Sequence, residues 1–271
     1  MAKGICATLH NPFKASLGGE EVVLGFWSSS TSPMLAEMVA ENGGFQWVLF
    51  DSEHAPNNVS TLMAQLQAIR FSNVPAVARP VLNHPVEIKR LLDIGFRSLL
   101  VPCIESADEA RAAVRATRYP PQGVRGVSGY HRNNRFGADA DYFDYIDEAI
   151  AVIAQIESVE AMPHLEEIGS VEGIDALFVG PGDLAASLGY LGKVKADPVQ
   201  DAIRDLGIRA RNQGVRIGIA AGTMEDVARY HAWGYSLFTV GSDVQLFRQA
   251  VEKLSESICA FTPTLRGEGK G

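Results

Sequence analysis

The sequence predicts an α/β fold, one closed (β/α)8 TIM barrel, and three observations predict it. Short apolar runs alternate with amphipathic helical stretches eight times. The runs are continuously apolar, as parallel strands covered on both faces require. The chain has 271 residues and no linker, the usual length of one such barrel. A doubly wound open sheet would alternate in the same way, but eight unbroken units favour closure. Residues 1–271 therefore read as one domain, with a short N-terminal extension over 1–20 and a frayed tail over 266–271.

The units follow in order. VVLGFW (22–27) is a strand and PMLAEMVAENG (33–43) a helix ending at glycine. FQWVLFD (45–51) precedes the helix NNVSTLMAQLQAIR (57–70). PAVARP (75–80) is followed by HPVEIKRLLDIG (84–95), with proline in its first turn. RSLLVPC (97–103) leads to SADEARAAVRATR (106–118), capped by Ser106 with Glu109 three residues on. A long polar loop, YPPQGVRGVSGYHRNNRFG (119–137), and a short helical piece intervene. Then come AIAVIAQIE (149–157) with VEAMPHLEEIG (159–169), and DALFVGPGD (175–183) with DPVQDAIRDLGIRARNQG (197–214). VRIGIAAGT (215–223) pairs with MEDVARYHAWG (224–234), and YSLFTVGSD (235–243) with VQLFRQAVEKLSESICA (244–260).

Composition excludes several function classes. A formal net charge of −8 argues against a nucleic-acid face. Cys6, Cys103 and Cys259 are far apart and odd in number, so neither a disulfide framework nor a CxxC metal site is readable. A reducing compartment fits this usage. The N-terminus lacks an apolar signal core, and no segment reaches the roughly 18 apolar residues of a membrane span. The expectation is a soluble cytoplasmic protein.

In a barrel of this kind the active site lies at the C-terminal ends of the strands. The second predicted strand runs into Asp51, Glu53 and His54, three ionisable groups where a turn needs none. The third ends in Arg79, the fifth in Gln155 and Glu157, the sixth in the GPGD segment with Asp183, and the eighth at Asp243. Closure gathers these around one mouth. Glu157 and Asp183 offer hard oxygen ligands for a divalent cation such as Mg²⁺ or Mn²⁺. No HxH or HExxH is present, which disfavours a zinc site with several histidines. Arg79 suits an anionic oxygen. Histidine ordinarily titrates near neutrality, and Asp51 is placed to orient His54. Glu53 is as readily structural as functional and is left off the catalytic set. No lysine falls at a strand end, so a Schiff base is disfavoured unless Lys193 or Lys195 is misplaced.

DSEHAPNN (51–58), LLDIGFRSLLVP (91–102), ATRYPPQGVRG (116–126), QIES (155–158) and LFVGPGDLAASLGY (177–190) together resemble the class II pyruvate aldolases, the family of 4-hydroxy-2-oxoheptanedioate and 2-keto-3-deoxy-sugar-acid aldolases. The resemblance covers about Gly25 to Ala250. It implies a barrel of the phosphoenolpyruvate/pyruvate type and a divalent metal ion (Mg²⁺, Mn²⁺ or Co²⁺), with no organic cofactor. It implies that Glu157 and Asp183 hold the metal and that His54 is the base with Asp51 its partner. Arg79 then stabilises the enolate oxygen, Asp93 is an acid behind metal-bound water, and Gln155 lines the pocket. The backbone at Pro181 and Gly182 would hold the pyruvate carboxylate; the family commonly has alanine where Gly182 stands. The implied reaction is reversible cleavage of a 4-hydroxy-2-oxo acid to pyruvate, or hydroxypyruvate, and an aldehyde.

Ala220, small and at the end of the seventh strand, is expected to leave room for the aldehyde. Arg125 is left between a distal anion and a neighbouring subunit. The apolar C-terminal helix suits packing on another chain, and the resemblance implies a trimer or a hexamer built from trimers. The rival expectations are another metal-enolate lyase on the same barrel, of the acyl-CoA type, and a non-catalytic barrel that binds 2-oxo acids.

Overall fold

The computed structural model describes residues 11–265. Eight parallel strands close in sequence order into a barrel. They are β1 (Val23–Ser28), β2 (Trp47–Asp51), β3 (Ala76–Arg79), β4 (Ser98–Val101), β5 (Ala151–Ile156), β6 (Ala176–Val179), β7 (Ile217–Ala221) and β8 (Leu237–Ser242). The helices are α1 (Pro12–Leu17), α2 (Pro33–Asn42), α3 (Val59–Ala68), α4 (Pro85–Ile94), α5 (Ala107–Thr117), α6 (Tyr142–Ala149), α7 (Leu165–Gly169), α8 (Pro181–Ser187), α9 (Asp197–Gln213), α10 (Met224–Ala232) and α11 (Asp243–Leu265). The expected barrel is therefore the observed one. No helix among the described residues is long and apolar enough to cross a membrane. Cys6 and the tail 266–271 lie outside the described residues.

Local chemistry starts the helices where the sequence predicts. Ser106 accepts from the Glu109 backbone N–H at 3.3 Å, and Asn58 and Thr61 form a reciprocal capping box on α3. Gly95 ends α4 at φ 117°, a conformation that costs glycine little.

Two packed shells hold the barrel. One lies between strands and helices. The other fills the interior with Val23, Trp47, Leu49, Val77, Leu100, Ile153, Phe178 and Leu237. Large and small side chains interdigitate there. A Cβ on Gly25 would meet the Trp47 ring at 2.3 Å, so only glycine lets that indole fill the centre.

The structure departs from expectation in three places. The N-terminal extension contains α1, whose Phe13 and Leu17 are buried, with the Phe13 ring tilted against Trp47 at 5.1 Å between centroids. Asn11 locks this helix across the strand starts by donating to Arg97 O, Ser98 Oγ and Ala149 O. The helix expected over 159–169 is a 3-10 turn, Met162–His164, followed by α7. The sixth strand stops at Val179, because Pro181 sits at the first position of α8 with its φ already set for a helix. Asp183 thus belongs to a helical first turn and not to a strand end.

The final helix α11 stands apart from the others. Val244, Phe247, Val251, Leu254 and Phe261 are all about half or more exposed. With Ile258, which is exposed as well, they recur at alternating three- and four-residue steps and form a stripe along a helix of 23 residues.

Candidate active site

The top layer of inward-facing residues lines one cavity of about 550 Å³ at the C-terminal ends of the strands. Trp27, Asp51, Arg79, Gln155, Gly180, Ala220 and Gly241 are the last inward positions of their strands or follow them directly. His54, Pro181, Gly182 and Asp183 also line it. Of the residues given a catalytic, metal-binding or substrate-binding role from the sequence, the cavity wall collects all but Glu157 and Asp93.

Asp51 and Arg79 are register partners on β2 and β3. Arg79 donates from Nε and Nη2 to the two carboxylate oxygens of Asp51, at 2.8 and 2.7 Å. Its Nη1 pairs with Glu53 at 2.8 Å, and its guanidinium lies 4.5 Å from the Trp27 ring centroid. Burial works to raise the Asp51 carboxyl, but the hydrogen bonds and charge of Arg79 outweigh it and hold the group below its ordinary value. Burial also raises the Glu53 carboxyl; Arg79 opposes this and nearby Glu157 adds to the rise.

These contacts correct two expectations. The Asp51 carboxylate meets Arg79 and not the His54 ring; only the His54 backbone N–H points toward it, at 3.5 Å. The imidazole is mostly exposed at the rim, with Nε2 4.0 Å from Glu53. Glu53, left off the catalytic set, is the acid within reach of that ring and shares Arg79 with Asp51. That contact was invisible in sequence because only the pairing of β2 with β3 puts Arg79 beside it.

Glu157 follows β5 and is 8% exposed. Its Oε1 accepts from the Cys103 backbone N–H at 2.8 Å, and its Oε2 accepts from Gln155 Nε2. Cys103 turns that N–H inward by adopting a left-handed φ of 55°, a strained choice that no sequence pattern announces. Gln155 Oε1 is buried and has no hydrogen-bond partner.

The donor set suits a hard divalent cation. Ligand atoms of Glu53, Cys103 and Glu157 lie within 4.8 Å of one another. Burial, with the charges of Glu157 and Glu53, pushes the Cys103 thiol up to about 12, so it stays protonated and leaves the carboxylate oxygens as the donors. The space above them is kept open by Gly180, where a Cβ would stand 2.6 Å from Glu157 Oε2. Raised Glu53 and orphaned Gln155 Oε1 are what a cation would relieve.

Asp93 corrects a further expectation. It lies in the last turn of α4, ahead of β4, at the end of the barrel opposite the mouth. Its carboxylate accepts from Arg125 Nη2 at 2.7 Å. Within this chain it does not reach the other site residues. Arg125 is fully buried, stacked 4.5 Å from Tyr119, so it faces no distal anion at the mouth. Asp243, at the end of β8, bonds Ser28 Oγ and the backbone N–H groups of Ser29 and Ser30, which ties β8 to β1. Lys195 stands at no strand end, as expected, but it lines the cavity from the loop between α8 and α9.

Comparison with known proteins extends this picture. Residues 23–250 match the family model described as HpcH/HpaI aldolase/citrate lyase. The chain is 45% identical over 247 residues to 5-keto-4-deoxy-D-glucarate aldolase of Shigella dysenteriae serotype 1, covering 91% of this chain and 96% of that one. A crystal structure of an HpcH/HpaI aldolase/citrate lyase family protein from Burkholderia cenocepacia J2315 superposes with a TM-score of 0.87 at 39% identity, over 92% of this chain and 99% of that one. An HpcH/HpaI aldolase from Desulfitobacterium hafniense DCB-2 gives 0.81 at 26% identity, over 91% and 96%.

Proposed function

The chain belongs to the HpcH/HpaI aldolase/citrate lyase family and is a carbon–carbon lyase, and from that premise we propose a divalent-metal-dependent cleavage of a 4-hydroxy-2-oxo acid to pyruvate and an aldehyde. The observation that carries the metal-dependent part is the convergence of the Glu53 and Glu157 carboxylates beside space that Gly180 leaves free. The relatives' name adds a substrate class: a six-carbon 2-oxo acid with a carboxylate at each end.

Glu157 and Asp183, with Glu53 beside Glu157, are the residues that would hold the cation. When bound, it supplies Lewis-acid stabilisation of the keto oxygen. The chain's own groups do the rest. The first turn of α8 has no side-chain cap, so the N–H groups at Gly182 and Asp183 are free to receive the 2-oxo acid's carboxylate. Arg79, aimed by Asp51 and backed by Trp27, faces the oxygen on which negative charge develops. His54 at the rim is placed to take the proton of the 4-hydroxyl as the C3–C4 bond breaks. Gln155, whose Oε1 is orphaned beside Glu157, lines the pocket and would face the cation. Ala220 leaves width on the β7 side for the departing aldehyde. Gly182 does not narrow the site relative to the alanine common in the family, because an added Cβ there would meet nothing within 4 Å.

The proposal includes a homo-oligomer, supported by the exposed apolar stripe on α11. Cytoplasmic work is supported by the free thiols of Cys103 and Cys259. The test is deuterium exchange into the pyruvate methyl group, followed by NMR in D₂O with EDTA and then with Mg²⁺, Mn²⁺ or Co²⁺. Metal-dependent exchange is expected. No exchange with any metal, for pyruvate or hydroxypyruvate, rejects the proposal in favour of a binding-only barrel or an acyl-CoA-type lyase.

A further inference from the structure

The cavity wall carries one arginine and one lysine among the described residues, Arg79 and Lys195. Arg79 is already matched by two acids, Asp51 and Glu53. Lys195 is not. Its ammonium donates to Asp226 Oδ1, and Arg229 Nη2 donates to that same oxygen. One carboxylate thus serves two cations. Glu225, next in chain, turns back onto Thr223, and Asp183 lines the cavity on the α8 side.

The position of Lys195 matters as much as its charge. Asp226 is buried in the first turn of α10, which follows β7. In a barrel ordered β1 to β8, β7 stands across from β3, the strand that carries Arg79. Lys195 is held there, 6.0 Å from the Tyr230 ring centroid, with its side chain 59% exposed. An ammonium has three donors, and Asp226 takes one. Ala220, Ala221 and Gly222 line the cavity between the two sides without a bulky side chain. A chain bound at Arg79 by its 2-oxo acid end therefore extends over small residues toward an unspent donor.

We propose that Lys195 determines specificity for the aldehyde half by receiving a carboxylate at its far end. The inference rests on the aldolase reading above and assigns the residue that reads the second acid of a two-carboxylate substrate. An ammonium meets a carboxylate with both a hydrogen bond and a full opposite charge, whereas a hydroxymethyl group of similar size offers only the hydrogen bond, so the carboxylate gains more there.

The experiment follows aldol addition of pyruvate to tartronate semialdehyde and to glyceraldehyde, which differ in carboxylate against hydroxymethyl. Wild type, Lys195→Met and Lys195→Arg are compared; the exposed position keeps all three folded. Lys195→Met is expected to lose about 10- to 100-fold in kcat/KM for the anionic aldehyde, with a loss for glyceraldehyde at least ~10-fold smaller. Lys195→Arg is expected to keep most of the preference. Equal losses for the two aldehydes, or a preference that survives in Lys195→Met, overturn the assignment. Metal-dependent pyruvate exchange by the wild type is measured alongside. If exchange is present and the preference is unmoved, only Lys195 is misassigned; if exchange is absent, the aldolase reading falls and this inference with it.

Discussion

Asp51 and Arg79 stand opposite each other in register on adjacent strands and are joined by two hydrogen bonds, 2.8 and 2.7 Å long. A planar guanidinium gripped at Nε and Nη2 by one acid and at Nη1 by another cannot swing. Lysine offers a point charge on a flexible stem and cannot reproduce that fork. Arg79→Lys is therefore expected to remain folded by circular dichroism and to lose ~10²–10³-fold in turnover. Turnover within a few-fold of wild type would show that the fork geometry is irrelevant.

The same pair makes stability depend on acid. The Asp51 carboxyl is held below its ordinary value of 3.8, so its folded pKa is depressed. Its stabilisation is fully present above pH 3.8 and is lost as pH falls through the folded pKa. Asp51→Asn is expected to cost about 3 kcal/mol near neutrality, because Arg79 loses its main buried partner. It should also remove part of the acid slope below pH 3.8 in urea titrations read by fluorescence. Parallel slopes for the two proteins would contradict the linkage.

Gly180 is a test of the cation site that leaves every charge in place. Its φ of −87° suits any residue, so the effect of Gly180→Ala is steric alone. The new Cβ would stand 2.6 Å from Glu157 Oε2 and 3.0 Å from Gln155 Nε2. Mn²⁺ affinity by calorimetry should fall by about 10-fold or more, with thermal stability little changed. Unaltered affinity would place the cation elsewhere.

His54 and Glu157 should separate in kinetics. His54→Ala is expected to lose ~10²–10⁴-fold in aldol cleavage while metal affinity holds. Glu157→Gln is expected to fail through metal affinity, with rate partly restored at high metal. If both variants respond alike to added metal, their roles are not distinct.

The fold was legible because apolar runs and helical periods alternate without interruption, and both follow from local sequence. The mouth was legible in part for the same reason: Asp51, Arg79, Gln155 and Glu157 end apolar runs or directly follow them, where topology alone assigns them a place. What stayed hidden depends on closure or on backbone torsion. The Glu53–Arg79 pair joins neighbouring strands, and the Cys103 N–H reaches Glu157 only through a positive φ. Asp93 was placed by its motif, but it sits at a helix end on the opposite side of the barrel from the mouth. Lys195 was discounted because it is not at a strand end, and the short helix α8 carries the chain back over the cavity.

Helix α1 closes the strand-start end of the barrel, with Phe13 against Trp47 and Asn11 bolting it to the rim. Traffic therefore runs through a single door. Under the proposed reaction the 2-oxo acid half lies deeper than the aldehyde half, so the aldehyde must depart before pyruvate has a path out. Cleavage becomes kinetically ordered by architecture alone. Pyruvate, the last to leave, should compete with the substrate for free enzyme, whereas the aldehyde should inhibit in a mixed pattern.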